Sequence, residues 1–343
     1  MEKIPVAILG ATGTVGQKFI TLLKNHPMFT IKELVASSRS QGKTYKEATS
    51  WKQDEFIPED IASMKVLGTD DPLESKILFS GLDSSVAGPV EEAYAQKGHI
   101  VISNSKNHRM DEFVPIIIPE VNPEHFAIIK KQPYKGAIIT NSNCSTMFLA
   151  MAMAPIHWTY GIEAIQVTTM QAISGAGYPG VASMDILGNV IPFISGEEEK
   201  LQMETQKILG TFRAERIEPA PIKISAQCNR VAVFDGHTET VSIKLTKKAT
   251  PKDITELLKS FKGKVADLDL PSAPPKPFIV FEEDDRPQPV RDAWKHRGMS
   301  TCVGRIRECP VFDIKMVILG HNTIRGAAGA ALLNAEAYVR LGY

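Results

Sequence analysis

The sequence predicts an α/β protein in which a parallel-sheet domain is joined to an α+β domain with a mixed sheet. Two observations carry this expectation. Short apolar runs alternate with helical stretches over the first 143 residues, and after Cys144 the β-type segments lengthen while helices become rarer. Alternation of strand and helix marks βαβ units on a parallel sheet, and near-continuous apolar strands fit a sheet covered on both faces. Longer strands with fewer helices point instead to an antiparallel or mixed sheet. A chain of 343 residues suits two domains of ordinary size rather than one small core.

In chain order, strands are expected over 5–9, 31–36, 77–79, 100–102, 116–118 and 137–140, with helices over 15–25 and 86–97. The Met- and Ala-rich segment 144–158 reads as a helix. Strands then follow over 162–173, 222–226, 231–234, 238–245 and 311–319, in a region whose loops are punctuated by prolines such as Pro219, Pro221 and Pro271. An Ala- and Leu-rich helix over 323–341 closes the chain. There is no internal repeat and no low-complexity tract.

Composition removes several function classes. Lys plus Arg and Asp plus Glu number 39 each, so no global field favours nucleic acid or an anionic membrane, although a local basic pocket for a small anion remains open. Hydrophobic residues at 43% and charged residues at 23% are typical of a soluble globular protein. No stretch reaches the ~18 apolar residues of a membrane helix, and the first residues lack the apolar region and cleavage site of a signal peptide. The four cysteines, Cys144, Cys228, Cys302 and Cys309, form no C-x-x-C pair. They read as free thiols in a reducing cytoplasm, and no metal site is expected.

The segment GATGTVG places Gly10, Gly13 and Gly16 directly after the first strand and at the mouth of a helix. Glycine permits a tight turn and lets backbone approach a pyrophosphate, while the helix N-terminus offers free N–H groups and partial positive charge. Gly10, Thr12, Gly13, Thr14 and Val15 are therefore the expected phosphate cradle of a Rossmann-like domain. A glycine turn without a dinucleotide is the alternative, since the spacing is G-x-x-G-x-x-G. An NAD site usually carries an acid at the end of the second strand for the ribose 2′-hydroxyl. Here Ser37, Ser38 and Arg39 stand there instead, a set suited to a 2′-phosphate, so NADP is favoured over NAD. The alternative for Arg39 is an ordinary solvated loop residue.

Asn141-Ser142-Asn143-Cys144-Ser145-Thr146 lies where an apolar strand meets a helix. A thiol at a helix N-terminus has its thiolate favoured by the dipole and by free N–H groups, which also suit a developing oxyanion. A buried structural cysteine is the alternative. A thiolate enzyme needs an acid/base partner. Among eight histidines, His237 draws notice because Arg230 lies seven residues upstream across an expected strand that ends in a glycine turn. Spacing alone does not choose it over a surface histidine.

Together these segments, with NRVAVFDGH and the closing HNTIRGAAGAALLNAE, resemble aspartate-semialdehyde dehydrogenases, and the archaeal and fungal form more than the common bacterial one. The resemblance spans nearly the whole chain. It implies reversible NADP-dependent oxidation of L-aspartate 4-semialdehyde with phosphate to L-4-aspartyl phosphate, on the route to lysine, threonine and methionine. By motif it implies Cys144 as nucleophile, His237 as acid/base and Gln171 as the group orienting the acyl intermediate. Arg230 would hold the substrate carboxylate, Glu198 its ammonium, and Arg109 with Lys200 the phosphate. Glu197, Glu198 and Glu199 compete for the ammonium role, against a solvated helix start. Asn104, Ser174, Gly175 and Asn322 would lie near the nicotinamide, with a helix N-cap as the alternative for Asn322.

The physical reading and the resemblance both require the nucleophile at a domain junction. They imply an NADP-binding domain of 1–143 completed by 322–343, and a catalytic and dimerisation domain of 144–321. A homodimer or homotetramer is implied. Rival readings are an acyl-CoA reductase acting on malonyl-CoA with the same thiolate, an N-acetyl-glutamyl-phosphate reductase, and a non-catalytic NADP-binding regulator. The last predicts loss of the nucleophile or base, whereas Cys144 and His237 are both present.

Overall fold

The structure is a computed structural model that describes residues 2–343. Its first part runs β1 (Ile4–Leu9), α1 (Thr14–Leu23), β2 (Phe29–Val35), β3 (Val66–Leu67), β4 (Ile77–Ser80), α2 (Ser84–Gln96), β5 (Ile100–Ser103) and β6 (Ala137–Thr140). These strands form one six-stranded sheet in the order β3-β2-β1-β4-β5-β6, with every pair parallel. That order is the doubly wound arrangement whose crevice opens between β1 and β4, where strand order reverses. The segment 116–118, expected as a strand, makes only a single bridge between Ile116 and Thr140.

Alternate residues of these strands feed opposite cores, as the two-residue period of a strand requires. Val6, Ile8, Phe79 and Ile102 pack with Phe19 and Ile20 of α1 on one face, while Ala7, Leu9, Leu78 and Val101 pack with Tyr94 and Ala95 of α2 on the other.

The second part begins with α3 (Cys144–Tyr160), then β7 (Ile162–Gln171), β8 (Val190–Ile191), α4 (Glu197–Ile208), a hairpin of β9 (Thr211–Arg213) and β10 (Arg216–Glu218), β11 (Lys223–Val231), β12 (His237–Leu245), α5 (Pro251–Ser260), β13 (Phe278–Val280), β14 (Thr301–Glu308) and β15 (Ile314–Gly320). Seven of these strands form a mixed sheet in the order β13-β14-β15-β12-β7-β11-β8. β7 pairs parallel with β11 and antiparallel with β12. From Met147 to Ile156 every residue of α3 is buried, which follows from its being apolar all round. It is the central helix of the second core.

Of residues 231–234, expected as a strand, only Val231 is one, as the end of β11, and 232–234 form a loop. Val233 sits in the connection that turns the chain toward His237. The strands β13 and β14 were not anticipated. The closing helix differs as well: Ile324–Ala328 are π-helical and only Gly329–Arg340 form an α-helix, named α6. Ala331, Leu332, Leu333 and Ala335 of α6 share the core of β1 and α1, so the C-terminus completes the first unit. The two units interlock, because Ile116, Ile118 and Val121 enter the second core while Val265, Leu270 and Met299 enter the first. Among the described residues no helix is long and apolar enough to cross a membrane.

Candidate active site

The crevice between β1 and β4 is a cleft of about 500 Å³ whose wall includes Thr12, Gly13, Thr14, Val15 and Asp83 from the first unit and Gly177 and Tyr178 from the second. Its geometry fits a dinucleotide phosphate. Gly10 has φ +74°, and a Cβ there would lie 2.8 Å from the Gly81 carbonyl oxygen, so glycine alone makes this turn. A Cβ on Gly16 would lie 2.3 Å from the Gly10 carbonyl oxygen, which shows how closely α1 packs against the turn. Gly13 caps α1 without a side-chain hydrogen bond, so no side chain competes for the first N–H groups. Ser37, Ser38 and Arg39 follow β2 and are exposed, beyond the cleft wall, with no carboxylate between Ala36 and Ser40.

At the C-terminal end of β6 the chain enters α3 through Asn143, whose Oδ1 accepts from the N–H groups of Ser145 (2.9 Å) and Thr146 (3.3 Å). The nucleophile candidate Cys144 is thus the first residue of a capped helix. Its Sγ lies 3.2 Å from His237 Nε2. On the other side of the ring, the Ala172 N–H donates to Nδ1 at 3.0 Å. A nitrogen that accepts carries no proton, so the neutral ring bears its proton on Nε2, aimed at the sulfur. Burial, then the Arg230 charge, depress His237 to about 3.

Cys144 keeps partial accessibility as a residue, yet protein atoms crowd the thiol closely. Burial, then the Glu197 carboxylate, push it up to about 12, opposed by the charges of Arg230, Lys200 and Arg109. The charges of all three cations expected at the site therefore act on the thiol.

Sheet register brings Arg230, Gln171 and His237 together. Gln171 pairs with Arg230 across β7 and β11, and Met170 pairs with Thr238 across β7 and β12, which brings His237 level with Gln171. Arg230 donates through Nη1 to the Ala172 carbonyl at 2.7 Å. Gln171 Nε2 donates to Ser145 Oγ and, at 3.0 Å, to Glu197, while its buried Oε1 has no partner among the described residues. Glu197 also accepts from Asn143 Nδ2 at 2.9 Å and pairs with Lys200. Arg109 donates to Glu204 at 3.0 Å and to the Asn104 carbonyl at 2.8 Å.

Of the residues expected near the nicotinamide, Asn104 is held apart from the pair Ser174 and Asn322. Asn104 Oδ1 accepts from Asn141 Nδ2 at 2.6 Å. Asn322 Nδ2 donates to Ser174 Oγ at 2.8 Å and its Oδ1 accepts from the Gly236 N–H at 2.9 Å, so it braces two loops and caps no helix. Gly175 lies where a Cβ would come within 3.0 Å of the His237 ring.

Of the three glutamates competing for the ammonium role, Glu198 accepts from the Cys228 N–H at 3.0 Å, while Glu197 is bonded to Gln171 and Asn143 next to Cys144. The reason is helix phase, since Glu197 shares a face of α4 with Lys200, Glu204 and Lys207. Two further residues were missed. Glu204 is 1% exposed and joins Arg109 to the Asn143 N–H. Gly326, in the π turn before α6, approaches so closely that a Cβ there would lie 2.9 Å from Cys144 Cβ. The spacing i, i+3, i+7 from Glu197 was visible in the sequence, but nothing local marked Gly326.

Comparison with known proteins places this geometry. Residues 5–129 match the profile described as semialdehyde dehydrogenase, NAD binding domain, and residues 153–325 match semialdehyde dehydrogenase, dimerisation domain. The aspartate-semialdehyde dehydrogenase of Candida albicans is 47% identical over 96% of each chain. That of Methanothermobacter thermautotrophicus is also 47% identical, over 97% of this chain and 98% of its own. The crystal structure of aspartate semialdehyde dehydrogenase with NADP from Candida albicans superposes with a TM-score of 0.92 at 43% identity, covering 98% of this chain and 99% of its own. On sequence, fold and extent of match, the chain belongs to the aspartate-semialdehyde dehydrogenase family.

Proposed function

We propose that this chain catalyses the reversible NADP-dependent conversion of L-aspartate 4-semialdehyde and phosphate into L-4-aspartyl phosphate through a thioester on Cys144. The observation that carries this reading is the Cys144–His237 contact of 3.2 Å, set among Arg230, Lys200 and Arg109. Membership of the family supports the substrate.

NADP would be held by the backbone of Gly10, Thr12, Gly13, Thr14 and Val15 at its phosphates, by Ser37, Ser38 and Arg39 at its 2′-phosphate, and by Asn104, Ser174, Gly175 and Asn322 toward its nicotinamide. When bound it supplies the two-electron acceptor that turns the Cys144 thiohemiacetal into a thioester.

The protein's own groups do the rest. Arg230 takes the substrate carboxylate through its remaining guanidinium N–H groups. Glu197, rather than Glu198, takes the ammonium. Neutralising Glu197 removes the charge that raises the thiol, while Lys200 and Arg109 continue to favour the thiolate. The sulfur bonds to the carbonyl carbon, and the carbonyl oxygen takes the electron pair. The thiol proton leaves to solvent, and His237 Nε2–H, oriented by the Ala172 N–H on the far side, donates a hydrogen bond first to the thiolate and then to that oxygen. In the reducing direction the oxyanion formed at the thioester carbon keeps this hydrogen bond and expels the thiolate as the aldehyde leaves. Gln171 orients the acyl group, and phosphate bound by Arg109 and Lys200 attacks the thioester carbonyl and releases the thiolate.

A malonyl thioester would satisfy Arg230 but offer no ammonium to Glu197, which favours the amino-acid substrate. A homodimer or homotetramer in the cytoplasm completes the proposal. It is supported by the dimerisation-domain match, by the exposed Gln166, Gln227 and Thr240 on the outer face of the mixed sheet, and by four free cysteines. The deciding experiment follows NADPH formation from aspartate 4-semialdehyde with and without phosphate, beside NADPH oxidation with malonyl-CoA. Phosphate-dependent reduction of NADP alone is expected, and activity confined to malonyl-CoA would overturn the substrate.

A further inference from the structure

The polar face of α4 contains more than the substrate groups. Glu197, Lys200, Glu204 and Lys207 recur at helical spacing, and Glu197, Glu204 and Lys207 are buried. Lys207 Nζ donates to the carbonyls of Arg109 (2.7 Å), Asp111 (2.8 Å) and Val114 (2.8 Å), so it clamps the loop that carries Arg109. Glu204, one turn earlier, uses both carboxylate oxygens: Oε1 accepts from Arg109 Nη1 at 3.0 Å and Oε2 from the Asn143 N–H at 2.6 Å. Asn143 is also the cap of α3, and its side chain is held by Glu197. The residue preceding the nucleophile is therefore fixed to α4 at two points, and the arginine assigned to phosphate is fixed to the same helix through one shared carboxylate.

We infer that Glu204 is a positioning residue that holds the phosphate-binding Arg109 and the Cys144 helix start in one frame. This rests on the assignment of Arg109 to phosphate made above. Both partners of Glu204 are donors, so the position demands two acceptors on one group, which a carboxylate has and an amide does not. Glutamine would set an N–H₂ against one of the two donors, and aspartate is one methylene too short to span both. A carboxylate 1% exposed has no solvent to replace either partner. Arg109 meanwhile keeps Nε unpaired and Nη2 on the Asn104 carbonyl, so Glu204 orients the guanidinium without using all its donors.

The test compares E204Q, R109A and the double variant, all as full-length enzyme. Readouts are KM for phosphate, KM for the semialdehyde, Kd for NADP by fluorescence, melting temperature, and the rate of Cys144 alkylation by iodoacetamide without substrates. E204Q is expected to raise KM for phosphate roughly tenfold and to change the alkylation rate at least threefold, with Kd for NADP within about twofold of wild type, as expected when a charge-assisted hydrogen bond is lost. In the R109A background, E204Q is expected to add little to the phosphate KM, whereas general structural damage would add in full. E204D, which keeps the charge, is expected to shift the same two readouts in the same direction and to serve if E204Q does not fold. Unchanged phosphate KM and alkylation rate in E204Q would overturn the inference, as would full additivity with R109A. If R109A itself leaves the phosphate KM unchanged, the phosphate assignment falls and takes that arm of the inference with it, and the alkylation rate decides the nucleophile arm.

Discussion

Gly326→Ala tests whether the C-terminal segment builds the active site or merely closes the fold. A methyl at this position would stand 2.9 Å from Cys144 Cβ, 3.2 Å from its Cα and 3.4 Å from its carbonyl oxygen. Carbon atoms pack at about 3.5–4.0 Å, so the first contact alone requires roughly 1 Å of separation. Neither side yields cheaply, since Gly326 is buried in the π turn and Cys144 begins a buried helix. Overpacking of this kind costs about 1–3 kcal/mol of stability. The catalytic cost is larger, because displacing a reacting group by about 1 Å lowers the rate roughly 100-fold. With the strain shared between the two elements, kcat is expected to fall about 10- to 100-fold while Kd for NADP stays within about twofold. Steady-state assay, a thermal melt and fluorescence titration of NADP measure the three quantities. Wild-type kcat in a normally folded G326A enzyme would refute the close approach and the positioning role drawn from it.

Glu197→Gln is expected to lower turnover by at least an order of magnitude and yet speed iodoacetamide alkylation of Cys144, because it removes the anion that raises the thiol; Glu198→Gln should do neither. Equal effects from the two variants, read by the same assays, would reject the assignment of Glu197. Arg39→Ala should raise KM for NADP about tenfold and leave KM for NAD nearly unchanged, whereas equal losses with both cofactors would remove the 2′-phosphate contact. His125, remote from the thiol, is depressed to about 4 chiefly by burial. Its neutral form stabilises the fold fully above the ordinary value of about 6.5, and this contribution is lost as pH falls toward 4. In urea titrations over that window, H125Q should flatten the slope of stability against pH by about 1.4 kcal/mol per unit, and an unchanged slope would reject the buried neutral histidine.

The parts of the site legible in the sequence are those fixed by local chain geometry. GATGTVG is a strand, a turn and a helix start within a few residues, and the structure builds that turn as the motif suggested. Cys144 at a capped helix start is equally local, because Asn143 caps the helix through residues two and three positions on. The choice among Glu197, Glu198 and Glu199 was not legible, for another reason. Neighbouring residues on a helix differ by about 100°, and nothing in a run of three glutamates fixes which one faces inward. The expected strand over 231–234 failed because β-branched propensity at Val231 and Val233 was read without the register of β11, which ends at Val231 and sets Arg230 opposite Gln171. Helical spacing from Glu197 offered Glu204 as a candidate, but its partners, like that of Gly326, are distant in sequence. Glu204 meets Asn143 across 61 residues, and Gly326 meets Cys144 only after the C-terminal segment has returned to the first unit.

The most direct measurement is intact-protein and peptide mass spectrometry of enzyme mixed with aspartate 4-semialdehyde and NADP in the absence of phosphate. A thioester at Cys144 predicts a mass gain of one aspartyl group on the peptide containing that residue, NADPH formed in stoichiometric burst, and loss of the adduct when phosphate is added. A full burst of NADPH with Cys144 unmodified, or with the adduct on another residue, would contradict it.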